Sequence, residues 1–140
     1  MRNLIGVLLL CAAAACSNSD STTAPATGAV SGNFALRTAN GVAVPTVATQ
    51  DATGTFEVLS GRVILRNDMS FIDSLTARYT PAGGTAQSLV DVRQGFFTQT
   101  GNNISLSFAS SQGVVTYSMT WVDANTLTYS EPSLSLIYQR

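Results

Sequence analysis

From Ser31 to Arg140 the apolar side chains recur at every second position, a period that suits extended strands and leaves no helix longer than a turn. Turn-forming residues interrupt the alternation at intervals of roughly 8 to 12 residues, the spacing of short strands in an all-β domain. Phe34 and Leu36 alternate with Ala35 and Arg37, and Asn40-Gly41 follows as a hairpin dipeptide. Val42 to Ala48, interrupted by Pro45, reads as an edge strand or a loop. Phe56 and Val58 share a face with Val63 and Leu65, with Gly61 as a bend or bulge between them and a turn at Asn67-Asp68-Met69. The next strand sets Phe71, Asp73, Leu75, Ala77 and Tyr79 on one face and ends at Pro81-Ala82-Gly83-Gly84. Val90, Val92 and, past a bulge at Gly95, Phe96 are read as the apolar face of the strand after it. Four further runs complete the pattern: Ile104-Leu106-Phe108, Val115-Tyr117-Met119-Trp121, Leu127-Tyr129 and Leu134-Leu136-Tyr138.

Eight to ten strands joined by short loops leave no room for the crossovers that parallel pairing needs, so consecutive strands pair antiparallel. Their edges must be hidden, and closure into an up-and-down barrel does that. A two-sheet sandwich satisfies the same alternation, and period alone does not separate the two.

The chain before this domain has a different character. Arg2, the apolar run Leu4 to Leu10 and the small residues up to Ala15 have the layout of a secretory signal over residues 1–15, too short an apolar stretch to span a bilayer. Residues 16–30 are mostly Ser, Thr, Ala, Asn and Gly, a composition that cannot offset the entropy of ordering, and they read as a flexible tether. About 14 such residues reach roughly 20 Å by the square-root rule. The segment Ala13-Ala14-Ala15-Cys16 resembles a bacterial lipobox, which implies cleavage before Cys16 and acylation of that cysteine. Several acyl chains give stable membrane attachment where one gives marginal binding. In the same family of signals an aspartate after the cysteine marks inner-membrane retention, and Ser17 in its place implies delivery to the outer membrane. Ala13 and Ala15 also fit an ordinary signal-peptidase site, which would leave the chain without lipid.

The body from Ser31 to Arg140 resembles the bacterial lipocalin-like lipoproteins, in which a Gly-x-Trp opens the first strand and an arginine follows the last; here the corresponding residues are Gly32-Asn33-Phe34, with phenylalanine in place of the tryptophan, and Arg140. The resemblance implies a small barrel closed at one end, with Arg140 over the Phe34 ring, and an interior that receives a small hydrophobic ligand.

Composition removes most chemistry. The chain has no histidine, its seven basic residues are all arginine, and its two cysteines, Cys11 and Cys16, precede the domain. A serine therefore has no histidine or lysine to activate it, and the usual zinc and thiol sites have no ligands, so neither an enzyme nor a metal or other cofactor is expected. The six arginines beyond Arg2 are dispersed, which disfavours nucleic acid as a partner.

Inside an eight-stranded barrel the side chains either fill the space or leave room for one small ligand. Phe71, Phe108, Tyr117, Met119 and Trp121 are thus either core or the walls of an apolar pocket. Asp73 is the one charged residue on an inward face. It either orients a ligand or balances a cation there, or lies at the rim near its hairpin in water. Glu57, Asp91 and Asp123 are placed outside, which leaves no carboxylate pair for acid/base work. Two roles remain: holding a small apolar molecule, or binding another protein as an inhibitor or assembly module through loops or a strand edge.

Overall fold

The computed structural model describes residues 28–140. Residues 1–15, read above as a secretory signal, and Cys16 with the tether up to residue 27 lie outside the described residues. The described residues form ten strands: β1 (Gly32–Ala39), β2 (Val42–Ala43), β3 (Thr46–Asp51), β4 (Gly54–Leu65), β5 (Ser70–Pro81), β6 (Gln87–Thr100), β7 (Asn103–Ser110), β8 (Gly113–Asp123), β9 (Thr126–Glu131) and β10 (Leu134–Gln139). From β4 onward each strand pairs antiparallel with the next, β10 returns to β1, and β1 closes the ring on β4. The result is an eight-stranded up-and-down barrel, not a sandwich, and it is compatible with a lipocalin-like fold. The two short strands β2 and β3 extend the sheet where β1 and β4 diverge: β2 pairs with Thr38 and Ala39, and β3 with the first half of β4.

The turns explain the register. Asn40 and Gly41 both have positive φ, 51° and 79°, which lets the hairpin between β1 and β2 be tight. The register of β4 against β5 shifts between Val58 and Ser60, so a bulge just before Gly61 keeps Phe56, Val58, Val63 and Leu65 on the inner face.

One strand is turned over relative to the sequence reading. Val90, Val92 and Phe96 face out, with relative exposures of 70%, 53% and 69%, whereas Phe97 is 2% exposed. No bulge occurs at Gly95, since β6 runs in unbroken register with both neighbours there. Gly95 instead allows a close approach: a Cβ would stand 2.0 Å from the carbonyl oxygen of Ser107 on β7. Because the side-chain period is two, choosing Phe97 over Phe96 for the core sends every other residue of β6 to the opposite face. Asp91, read as exterior, therefore faces the interior, as does Arg93.

The end of the barrel where the chain enters is filled. Phe34, Leu65, Phe71, Phe97, Ile104, Leu106, Trp121 and Leu127 are buried there. Val30, assigned from composition to the tether, belongs to this core at 1% exposure; its amide donates to Gln99 Oε1 at 2.8 Å, and Gln99 Nε2 donates to the Gly28 carbonyl at 3.1 Å. The Arg140 guanidinium lies 4.8 Å from the Phe34 ring centroid and donates to the Ser31 carbonyl. Gly32, at φ 142°, makes room for it, as a Cβ there would lie 2.7 Å from Arg140 Nε.

The outer face carries serine and threonine on β5 (Ser70, Ser74, Thr76, Thr80) and β8 (Thr116, Ser118, Thr120), together with exposed apolar side chains at Val90, Val92, Phe96, Val114 and Val122.

Candidate functional site

Above the filled layer the interior opens into a cavity of about 400 Å³. That lies within the range of small-molecule pockets, about 300 to 1,000 Å³. Five strands supply its chemistry. β5 contributes Asp73 and Leu75, β6 Asp91 and Arg93, β7 Phe108, β8 Val115, Tyr117 and Met119, and β9 Tyr129 and Glu131. Leu134, Leu136 and Tyr138 of β10 form the remaining wall. Of the residues expected to line a pocket, Asp73, Phe108, Tyr117 and Met119 are brought together here. Phe71 and Trp121 are not: they sit in the filled layer below.

Tyr117 organises the centre. Its ring makes edge contacts with Phe71, Phe108 and Tyr129 at centroid separations of 6.3, 6.2 and 6.0 Å. Its hydroxyl donates to Asp73 Oδ2 at 2.7 Å. Asp73 is thus not at a rim in water but partly buried, in the cavity wall, and its other oxygen, Oδ1, is buried with no hydrogen-bond partner. Burial pushes the Asp73 carboxyl above its ordinary value, against the hydrogen bond from Tyr117 and the positive charge of Arg93. Burial also raises the Tyr117 phenol, and the Asp73 charge beside it adds to that. Tyr138 is raised likewise, and Tyr129, whose hydroxyl donates to Glu131, is pushed up to about 12.

Arg93 stands opposite Asp73 in the β5–β6 ladder. It is committed to Asp91, donating through Nε to Oδ2 at 2.8 Å, while its guanidinium covers the Phe108 and Tyr117 rings at 5.4 and 5.3 Å. Among the described residues Asp73 has no ion pair with it. The cavity therefore holds three carboxylates against one guanidinium, in a wall otherwise aromatic and aliphatic. Among the described residues no three ligating side chains converge on a point that would suit a metal ion.

The wall of this end is also less laced than the filled end. The β8–β9 ladder stops at Thr120 opposite Thr128, so Gly113–Met119 pairs with β7 alone. The β6–β7 ladder stops at Gly95 opposite Phe108, so 87–94 pairs with β5 alone. Across the first of these seams the contact is between side chains, Tyr117 against Tyr129. Sequence reading missed Arg93, Asp91, Tyr129, Glu131, Leu134, Leu136 and Tyr138 as wall residues. Of these, Tyr129, Leu134, Leu136 and Tyr138 belong to the alternating runs of the last two strands, and the signal that could have joined them is that all lie toward the same end once the meander is drawn.

No family model, curated protein or solved structure matches the chain.

Proposed function

We propose that this chain is a non-enzymatic binding protein of the bacterial envelope, exported by its leader and anchored through lipid on Cys16, with a lipocalin-like barrel that holds one small amphiphilic molecule. The observation that carries the reading is the asymmetry of the interior: one end is packed solid, while the other keeps about 400 Å³ of space lined by aromatic, aliphatic and a few polar groups. Close packing is the rule in protein interiors, and retained space with convergent polar groups is the usual form of a ligand site. The residue inventory supports binding without catalysis, since no histidine or lysine is present to activate a nucleophile. The lipobox-like Ala13-Ala14-Ala15-Cys16 supports the anchor and Ser17 the outer membrane. Intact-mass measurement of the membrane-extracted protein tests the anchor: acyl mass on Cys16 is expected, and a free thiol would refute it.

The binding reading is tested with the Cys16→Ser chain, which cannot be acylated and needs no detergent. Titration with the neutral fluorophore N-phenyl-1-naphthylamine should saturate at one probe per chain, and Leu75→Trp, which fills the cavity, should abolish it. Absence of saturable binding would refute the reading. A second reading, a protein-interaction module, draws on the unlaced edge of β6 with its exposed Val90 and Val92; Val92→Lys would then abolish partner capture and leave probe binding intact.

A further inference from the structure

We infer that the cavity selects a cationic amphiphile, a primary alkylammonium or similar nitrogen base, whose charged head is held by Asp73 while its apolar part lies against Leu75, Phe108, Val115 and Leu136. The inference rests on the proposed binding function and specifies its ligand class.

Three observations lead to it. First, Asp73 is placed where a carboxylate is costly, above a closed apolar layer, and only one of its oxygens has a partner. An unmade hydrogen bond from a buried charged group is expensive, so such a group retains a use for a donor. Second, the cation already present does not meet that need. Arg93 is held by Asp91 and spread over two aromatic rings, at a distance from Asp73 that leaves the two unpaired. Third, the other ionisable groups facing the cavity favour the same sign. Glu131 is acidic and takes the Tyr129 hydroxyl, and Tyr117 and Tyr138 are held in their neutral, phenolic form. An anionic head would meet two carboxylates without a cation, Asp73 and Glu131, beside an Arg93–Asp91 pair that is already neutral. A neutral head would leave the Asp73 charge as it is.

Recognition needs little movement. Oδ1 is shielded in this conformation, but the terminal torsion of an aspartate is soft, so a partial rotation can turn Oδ1 toward the cavity that Asp73 lines while Oδ2 stays near the Tyr117 hydroxyl. An ammonium has three donors on a compact charge, enough for Asp73 and for Tyr138 or a retained water.

The test is calorimetric titration of the Cys16→Ser chain at neutral pH with octylamine, 1-octanol and octanoate, which share a tail and differ in head charge. Octylamine is expected to bind roughly ten- to a hundredfold more tightly than 1-octanol, the range of one charge-assisted hydrogen bond, with octanoate weakest. In Asp73→Asn that preference, read as the ratio of octylamine to 1-octanol affinity, should collapse to near unity, while Glu131→Gln should keep most of it. If 1-octanol binds and octylamine binds no better, or if Asp73→Asn keeps the preference, the ligand class is wrong and the binding function stands. If none of the three binds, both are overturned. A far-ultraviolet circular dichroism spectrum and a thermal transition like those of the parent report that the variants' barrels are folded.

Discussion

The two ends of the barrel are built from the same strands by the same alternation, yet they solve opposite problems. At the entry end the inward residues are Phe34, Leu65, Phe71, Phe97, Ile104, Trp121 and Leu127, all buried and all apolar, and Arg140 lies over the outside of Phe34. At the other end the same inward rows continue as Asp73, Asp91, Arg93, Tyr117, Tyr129 and Glu131, which meet around space instead of filling it. The backbone follows suit, since the ladders on both sides of the β7–β8 hairpin are complete toward the entry end and lapse toward the cavity. Stability is thus concentrated where nothing is bound, and polar side chains are placed where packing does not depend on them.

Truncation should expose that division most strongly. Phe34→Ala removes a fully buried ring from the filled end and should cost about 3–5 kcal/mol, read as a lowered urea midpoint, whereas Phe108→Ala in the cavity wall should cost far less. Equal losses would erase the distinction. Next in size, Gly95→Ala forces a methyl against the Ser107 carbonyl and should cost about 1–3 kcal/mol; a neutral effect would mean that β6 and β7 separate there freely.

Arg140→Ala should lower the melting temperature by an amount corresponding to about 0.5–2 kcal/mol, with probe binding unchanged because the cavity lies at the opposite end. The smallest effect has the opposite sign. The carboxyl of Asp73 is raised on folding, so the folded state binds its proton more readily than the unfolded chain does. Its contribution is fully favourable below the ordinary carboxylate value and is lost as pH rises through the raised one. Asp73→Asn should therefore match or slightly exceed the parent in stability at pH 7, and the advantage should vanish as pH falls through the carboxylate range. A variant clearly less stable at pH 7 would show that the Tyr117–Asp73 contact is a structural asset.

The strands and their turns were legible because period two and turn chemistry act locally: Asn40-Gly41, Asn67-Asp68-Met69 and the bulge beside Gly61 fall where the sequence points. The facing of β6 was not. In Val90-Asp91-Val92-Arg93 the valines look like core, but the adjacent phenylalanines Phe96 and Phe97 compete for the interior, and the contact at Gly95 that decides between them is with a strand distant in sequence. The candidate site was half legible for a related reason. Alternation reports which side a residue takes and is silent on its height along the barrel axis, so Phe71 and Trp121 were indistinguishable from Phe108 and Tyr117 until register fixed their levels. Residues 28–30 failed on composition, since a single valine with one glutamine partner is enough to dock them.

The docking of Val30 gives the molecule a polarity. The polypeptide enters at one pole, by Gln99 and Arg140, and the cavity opens at the other. Access to the cavity is therefore independent of the docked segment 28–30, as the mouth of a cup is of its base.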